Sequence, residues 1–218
     1  MFGKLLSLSG VLAALFLAGC SVTPTMYPPV DRNAAVSPER FLGAWSCVTG
    51  SDRYEITVMP NKIKGNSVRI QIVQIPDKKQ ENFHGTWAPL GGMFLKVGEK
   101  YFLAATVDAE RLLLEAERNA DALWMLKPVY YLMQLTENAY GYELRFISFA
   151  APSESGTAAK AAGSQIAWSP VDPKVKLLSD SLVLNSTAEL QEFLKSGKYQ
   201  LDKNVYPLVR KQAARQGK

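Results

Sequence analysis

Histidine occurs once in the 218 residues and cysteine twice. A structural zinc site needs four ligands of these kinds, so the chain is too poor in them to hold one. No GxSxG elbow and no GxxxxGK[ST] phosphate loop is present; the first would mark a serine hydrolase and the second a nucleotide-binding strand-loop-helix. No apolar stretch reaches the roughly 20 residues that a membrane-spanning helix needs. Charge is +5 but spread along the chain, with no Lys/Arg block before the C-terminal end. A nucleic-acid surface needs basic residues gathered on one face, so no nucleic-acid partner is expected. What is there is ordinary globular material, 47% hydrophobic and 21% charged, long enough for a real core in one domain with extensions.

The chain opens with a positive end, Met1 and Lys4, and then an apolar run from Leu5 to Ala18 broken by Ser7, Ser9 and Gly10. A short apolar run followed by small residues is the pattern of a signal peptide. Leu17-Ala18-Gly19-Cys20 resembles the lipobox of bacterial lipoproteins. That resemblance implies diacylglyceryl transfer to the Cys20 thiol, cleavage before Cys20 by signal peptidase II, removal of residues 1–19 and acylation of the new amine. Two or three acyl chains anchor a protein stably, since each buried CH₂ contributes about 0.8 kcal/mol. In the sorting pattern of such lipoproteins, Asp after the lipidated cysteine retains the protein at the inner membrane. Ser21 stands there instead, so the resemblance implies the periplasmic face of the outer membrane.

Residues 20–36 carry Pro24, Pro28 and Pro29 and no hydrophobic period. They read as a lipidated cysteine on a partly polyproline spacer. The body is expected over residues 37–210. Ser37 reads as a helix N-cap with Pro38 in the first helical position. The period then changes to two. Tyr54–Pro60 alternates, and Ser67–Ile75 puts Val68, Ile70 and Ile72 on one face, as a half-buried antiparallel strand does. Gly65-Asn66 supplies the turn between them. Further strands are expected in FHGTWAPL, MFLKV and KYFLAATV, broken at Gly91-Gly92 and at Gly98-Glu99. VYYLMQL and YGYELRFIS form a hairpin around Glu137-Asn138. An amphipathic helix is expected in DAERLLLEAERNADALW, with Ala109, Leu112, Leu113, Ala116, Ala120 and Leu123 on one side. Ala151–Ser164 reads as a long polar loop. SLVLNS offers one more strand, and Ser186-Thr187-Ala188-Glu189 is a capping box opening the helix AELQEFLK. From Val209 the chain reads as a basic tail, with residues 211–218 beyond the domain.

Candidates for chemistry are few. His84 sits in FHGTW, with Asp77 and Glu81 in the polar turn before it, and reads as structural or exposed rather than catalytic. Cys47 follows Trp45 in an apolar stretch and reads as a buried inert thiol. The tryptophans and tyrosines belong to a core or a barrel rim more readily than to a pocket. No catalytic residue, metal or cofactor is assigned.

PERFLGAWSCV resembles the N-terminal entry of lipocalin-like barrels: a short helical turn, then Gly43-Ala44-Trp45 opening the first strand. The resemblance implies that Gly43 permits a close turn and that Trp45 closes one barrel end. The lipobox, this GxW strand, the meander and the late STAELQEFL helix together look like a group of uncharacterised bacterial envelope lipoproteins. The expected fold is mainly β: an antiparallel lipocalin-like barrel or strongly bent meander of about eight strands, with one or two packed helices. The expected role is a binding module for an apolar or lipidic ligand or an envelope partner; the alternative is a structural accessory subunit with no pocket.

Overall fold

Strand after strand pairs with its sequence neighbour until the sheet meets itself. In the computed structural model, residues 24–29, 35–62, 65–75, 87–107, 129–152, 168–178 and 182–211 are described. A 3₁₀ turn at Glu39–Phe41 leads into β1 (Gly43–Thr49), β2 (Asp52–Pro60), β3 (Ser67–Ile75), β4 (Trp87–Val97), β5 (Lys100–Val107), β6 (Tyr131–Asn138) and β7 (Gly141–Ser148). An excursion follows: β8 (Ala150–Pro152) with β9 (Trp168–Pro170), β10 (Leu177–Leu178) with β11 (Leu182–Val183), helix α1 (Thr187–Ser196) and β12 (Gln200–Leu201). The chain returns as β13 (Tyr206–Arg210), which lies between β7 and β1. With β6 also paired to β7, eight antiparallel strands close into a barrel. The expectation of a mainly β, lipocalin-like barrel is met. Closure removes the exposed edges that an open meander would leave.

Two cores lie on opposite faces of one wall. Trp45, Cys47, Val58, Ile70, Leu103 and Phe146 point inward. On the outside, Met93, Leu95, Phe102, Ala104, Leu132 and Ile147 are covered by Leu190, Phe193 and Leu194 of α1 and by Val175 and Val183. This explains why KYFLAATV is apolar at successive positions: β5 is buried on both faces, whereas β1 to β3 alternate because their outer face meets water. Helix α1 is held at its start by the expected capping box, in which Ser186 and Glu189 exchange bonds, and at its end by Gly197 in the left-handed region.

The structure corrects several expectations. Gly91-Gly92 does not break a strand; it lies inside β4, where a Cβ on Gly92 would stand 2.9 Å from Leu103 Cδ1 and 3.1 Å from Ile70 Cδ1. The glycine is there for close side-chain approach, not for a turn. Glu137 and Asn138 are still paired strand residues; the turn is Ala139-Tyr140, with Asn138 Oδ1 accepting from the N–H groups of Tyr140 and Gly141. The N-terminal turn is only three residues, preceded by Pro38 with no side-chain cap from Ser37. Ala151-Pro152 begins not a loop but β8.

Two larger corrections concern the ends. Val209 and Arg210 are not tail; they belong to β13, which closes the barrel. The proline-rich segment is not a free spacer throughout. Thr25 is fully buried and exchanges backbone bonds with Tyr130 at 2.9 Å. The Met26 N–H donates to Val183 O, and the Val183 N–H donates to Pro24 O. Thr187 Oγ1 donates to Pro28 O at 2.8 Å, and the Val36 N–H donates to Phe94 O at 3.0 Å. Residues 24–29 therefore strap the outer core, because their backbone groups find partners there. The helix expected over residues 108–124, together with His84 and Leu17 to Cys20, lies outside the described residues, where α1 is the single helix of more than three residues.

Candidate functional site: an apolar lumen with one sealed end

One end of the barrel is sealed by an aromatic plug. The Phe41 ring stacks on Phe94 with centroids 4.0 Å apart, meets Tyr101 edge-on and lies tilted against Tyr142. Trp45 Nε1 donates to Phe41 O at 3.0 Å, which fixes the plug to β1. Arg40 lies over the Tyr101 ring, 4.6 Å from its centroid, and donates to the Tyr142 hydroxyl and to Glu137. Its guanidinium is held charged well above its ordinary range, first by the Tyr142 bond. Gly43 sits here at φ 121°, a conformation that side chains rarely adopt. The Arg210 guanidinium lies 4.5 Å over Trp45, so first and last strands meet at this end.

Behind the plug the lumen is not filled. Two adjoining chambers of about 80 and 70 Å³ share Ile72, Leu90, Ala105, Met133 and Leu144 as walls. All the groups that face the space are apolar. The chambers are well below the roughly 300–1,000 Å³ of pockets for drug-sized ligands. They suit a slender apolar group, and space of this kind stays dry.

The other end is where the β1–β2 hairpin, the end of β3, the end of β5 and the starts of β6 and β13 come together. Tyr54, Tyr131 and Tyr206 line the outer chamber there with Cys47. Burial pushes all three phenols up from their ordinary range, with Asp52 adding to the effect at Tyr54 and Asp202 at Tyr206. They remain neutral hydroxyls at physiological pH. Gln74 Nε2 donates to Asp52 Oδ1 at 3.3 Å beside them. The apolar walls thus end beside Tyr54, Tyr131, Tyr206, Gln74 and Asp52. Cys47 is a free thiol, 3% exposed, whose pKa is pushed up to about 11 by burial. It is a wall group and not a nucleophile at neutral pH.

The distribution is opposite to that of barrels that cross membranes with their strands, which are polar inside and apolar outside. Here the interior is apolar, and the uncovered outer face of β2 and β3 carries Glu55, Thr57, Arg69 and Gln71. No helix among the described residues is long and apolar enough to cross a membrane. No group of three or more His, Cys, Asp or Glu side chains among them is placed to hold a metal ion.

Of the residues singled out in the sequence, Gly43, Trp45 and Cys47 are brought to one strand, the first two at the sealed end and the thiol deeper in the lumen. The tyrosine ring was missed. Tyr54, Tyr131 and Tyr206 are 77 and 75 residues apart, and only closure through β13 sets them side by side. Alternation of Tyr206, Leu208 and Arg210 was the available signal for that strand, but Pro207 argues against one. The ladder to β1 begins at Leu208, one residue past the proline, so on that side no donor is lost.

Fold and site together define a lipocalin-like β-barrel with a narrow apolar lumen. No protein-family model, no curated protein and no solved structure matches the chain, so its function is read from the site's own geometry.

Proposed function

We propose that the chain is a lipoprotein held by acylated Cys20 at the periplasmic face of the outer membrane, and that its barrel binds the apolar part of a lipidic ligand. The observation that carries the binding reading is the apolar lumen between the Phe41 plug and the tyrosine ring. The plug keeps water out at one end; the tyrosines, Gln74 and Asp52 give a polar headgroup partners at the other. The lipobox sequence Leu17-Ala18-Gly19-Cys20 supports the anchor. An accessory subunit that scaffolds an envelope assembly without a ligand draws on one observation, the small volume of each chamber.

The test is native mass spectrometry of the mature protein followed by titration with a fluorescent fatty acid. Expected are a co-purifying lipid and saturable binding that Ala105→Phe, in the shared wall, reduces strongly while the fold is kept. A bare protein with no saturable binding overturns the ligand reading and leaves the accessory one. The anchor is tested separately: Cys20→Ala is expected to lose acyl label and stable membrane association, and acyl-labelled protein in that variant overturns the lipobox assignment.

A further inference from the structure

We infer that the end of the barrel lined by Tyr54, Tyr131 and Tyr206 docks on the membrane surface. This rests on the reading of Cys20 as the lipid anchor and adds an orientation to it.

The length of the leash carries the argument. Only Ser21, Val22 and Thr23 separate Cys20 from Pro24, whose carbonyl is already bonded to Val183. Four residue steps reach about 14 Å at most. The docking point is at the mouth, because Thr25 pairs with Tyr130, one residue before β6 begins. From there β6 runs eight residues to the sealed end, a height of about 20 Å once strand tilt is allowed for. The leash is shorter than the barrel. An upright barrel resting on its plug is therefore out of reach of its own anchor.

The surface chemistry selects the mouth over the barrel's side. Among the described residues six large hydrophobics are exposed, and Val48, Ile75 and Val205 of these stand around the mouth. A fourth, Tyr27, lies two residues past Thr25 on the strap and is 47% exposed. Amphipathic aromatic rings of this kind settle at the level of lipid headgroups. Apolar rim, aromatic strap and short anchor all point the same way.

The full lipidated chain, on vesicles of phosphatidylethanolamine and phosphatidylglycerol carrying a headgroup nitroxide, tests this. In a Cys47→Ala background, Ile75→Cys and Tyr140→Cys each receive the same fluorophore, at the mouth and at the sealed end. Severalfold stronger quenching at position 75 is expected. Val48→Asp combined with Val205→Asp, both at exposed sites, is expected to remove that difference while flotation is kept. Equal quenching at the two positions, or stronger quenching at 140, overturns the orientation and leaves the anchor standing. Failure to float, with no acyl mass on Cys20, overturns both.

Discussion

Arg210 and Trp45 are 165 residues apart in sequence, and the guanidinium of one covers the ring of the other at 4.5 Å. Arg210 Nη2 also donates to Arg40 O at 2.8 Å, and the Lys211 N–H donates to Ala44 O at 2.9 Å. One side chain thus ties the last strand, the first strand and the plug together. Arg210→Ala is expected to cost about 1 kcal/mol, because the cation sits at the surface. Trp45→Ala is expected to cost about 3–5 kcal/mol, because the ring is 3% exposed and anchors the plug. Urea unfolding of both variants gives the comparison.

Gly141 pairs with Val209 where β7 meets β13. A Cβ there would lie 2.2 Å from Leu208 O and 3.1 Å from the Trp45 ring, on a backbone already at φ 153°. Gly141→Ala must push the closing strand away. It is expected to lose more than the roughly 1–3 kcal/mol that an unfavourable backbone conformation costs alone. Gly50→Ala, at φ 58° with nothing near, is the control and is expected to lose only about 1 kcal/mol. Thermal unfolding of the pair separates a blocked closure from a strained turn.

Glu189 is drawn down to about 2 by Lys176 and then by the Ser186 N–H and hydroxyl. Its folded value lies below its unfolded one near 4.5, so its contribution to stability is complete above that pH and is lost as pH falls toward 2. Glu189→Gln is expected to flatten the acid limb of a stability-versus-pH curve between these values. Ser186→Ala, which removes the cap itself, is expected to cost about 1 kcal/mol at neutral pH.

Cys47 behaves in the opposite sense. Its folded pKa, about 11, lies above the thiol's ordinary value of 9.0, so the neutral thiol's contribution is intact below 9 and is lost as pH rises toward 11. At pH 8 a thiol reagent is expected to label the native protein far more slowly than the urea-unfolded one. Cys47→Ala is expected to keep the fold. Rapid native-state labelling at pH 8 would mean that the lumen admits water.

The strap makes a further prediction. Removing residues up to 29 exposes the outer core beside Val183 and leaves backbone groups of Tyr130 and Val183 without their partners. That truncation is expected to lower the unfolding midpoint clearly, with Thr187→Val losing about 1 kcal/mol through the Pro28 bond alone. A plain spacer would be deleted without effect.

What the sequence determined by itself is local. The two-residue alternation of Val68, Ile70 and Ile72 sets a strand with one wet face, Gly98-Glu99 sets a turn, and Ser186 with Glu189 sets a helix start, because each depends only on neighbours a few residues away. What the tertiary structure alone decided is everything that needs distant partners. It placed Gly91-Gly92 inside a strand, since Gly92 is met by Ile70 and Leu103 across two ladders. It turned the start of a proline-rich spacer into a strap, since the groups bonded to residues 24–28, on Tyr130, Val183 and Thr187, lie more than a hundred residues away. It made a strand of Tyr206–Arg210, since only closure on β1 and β7 rewards pairing there. The lumen belongs to that second class: no single strand carries it, and it exists only because the eighth strand comes home.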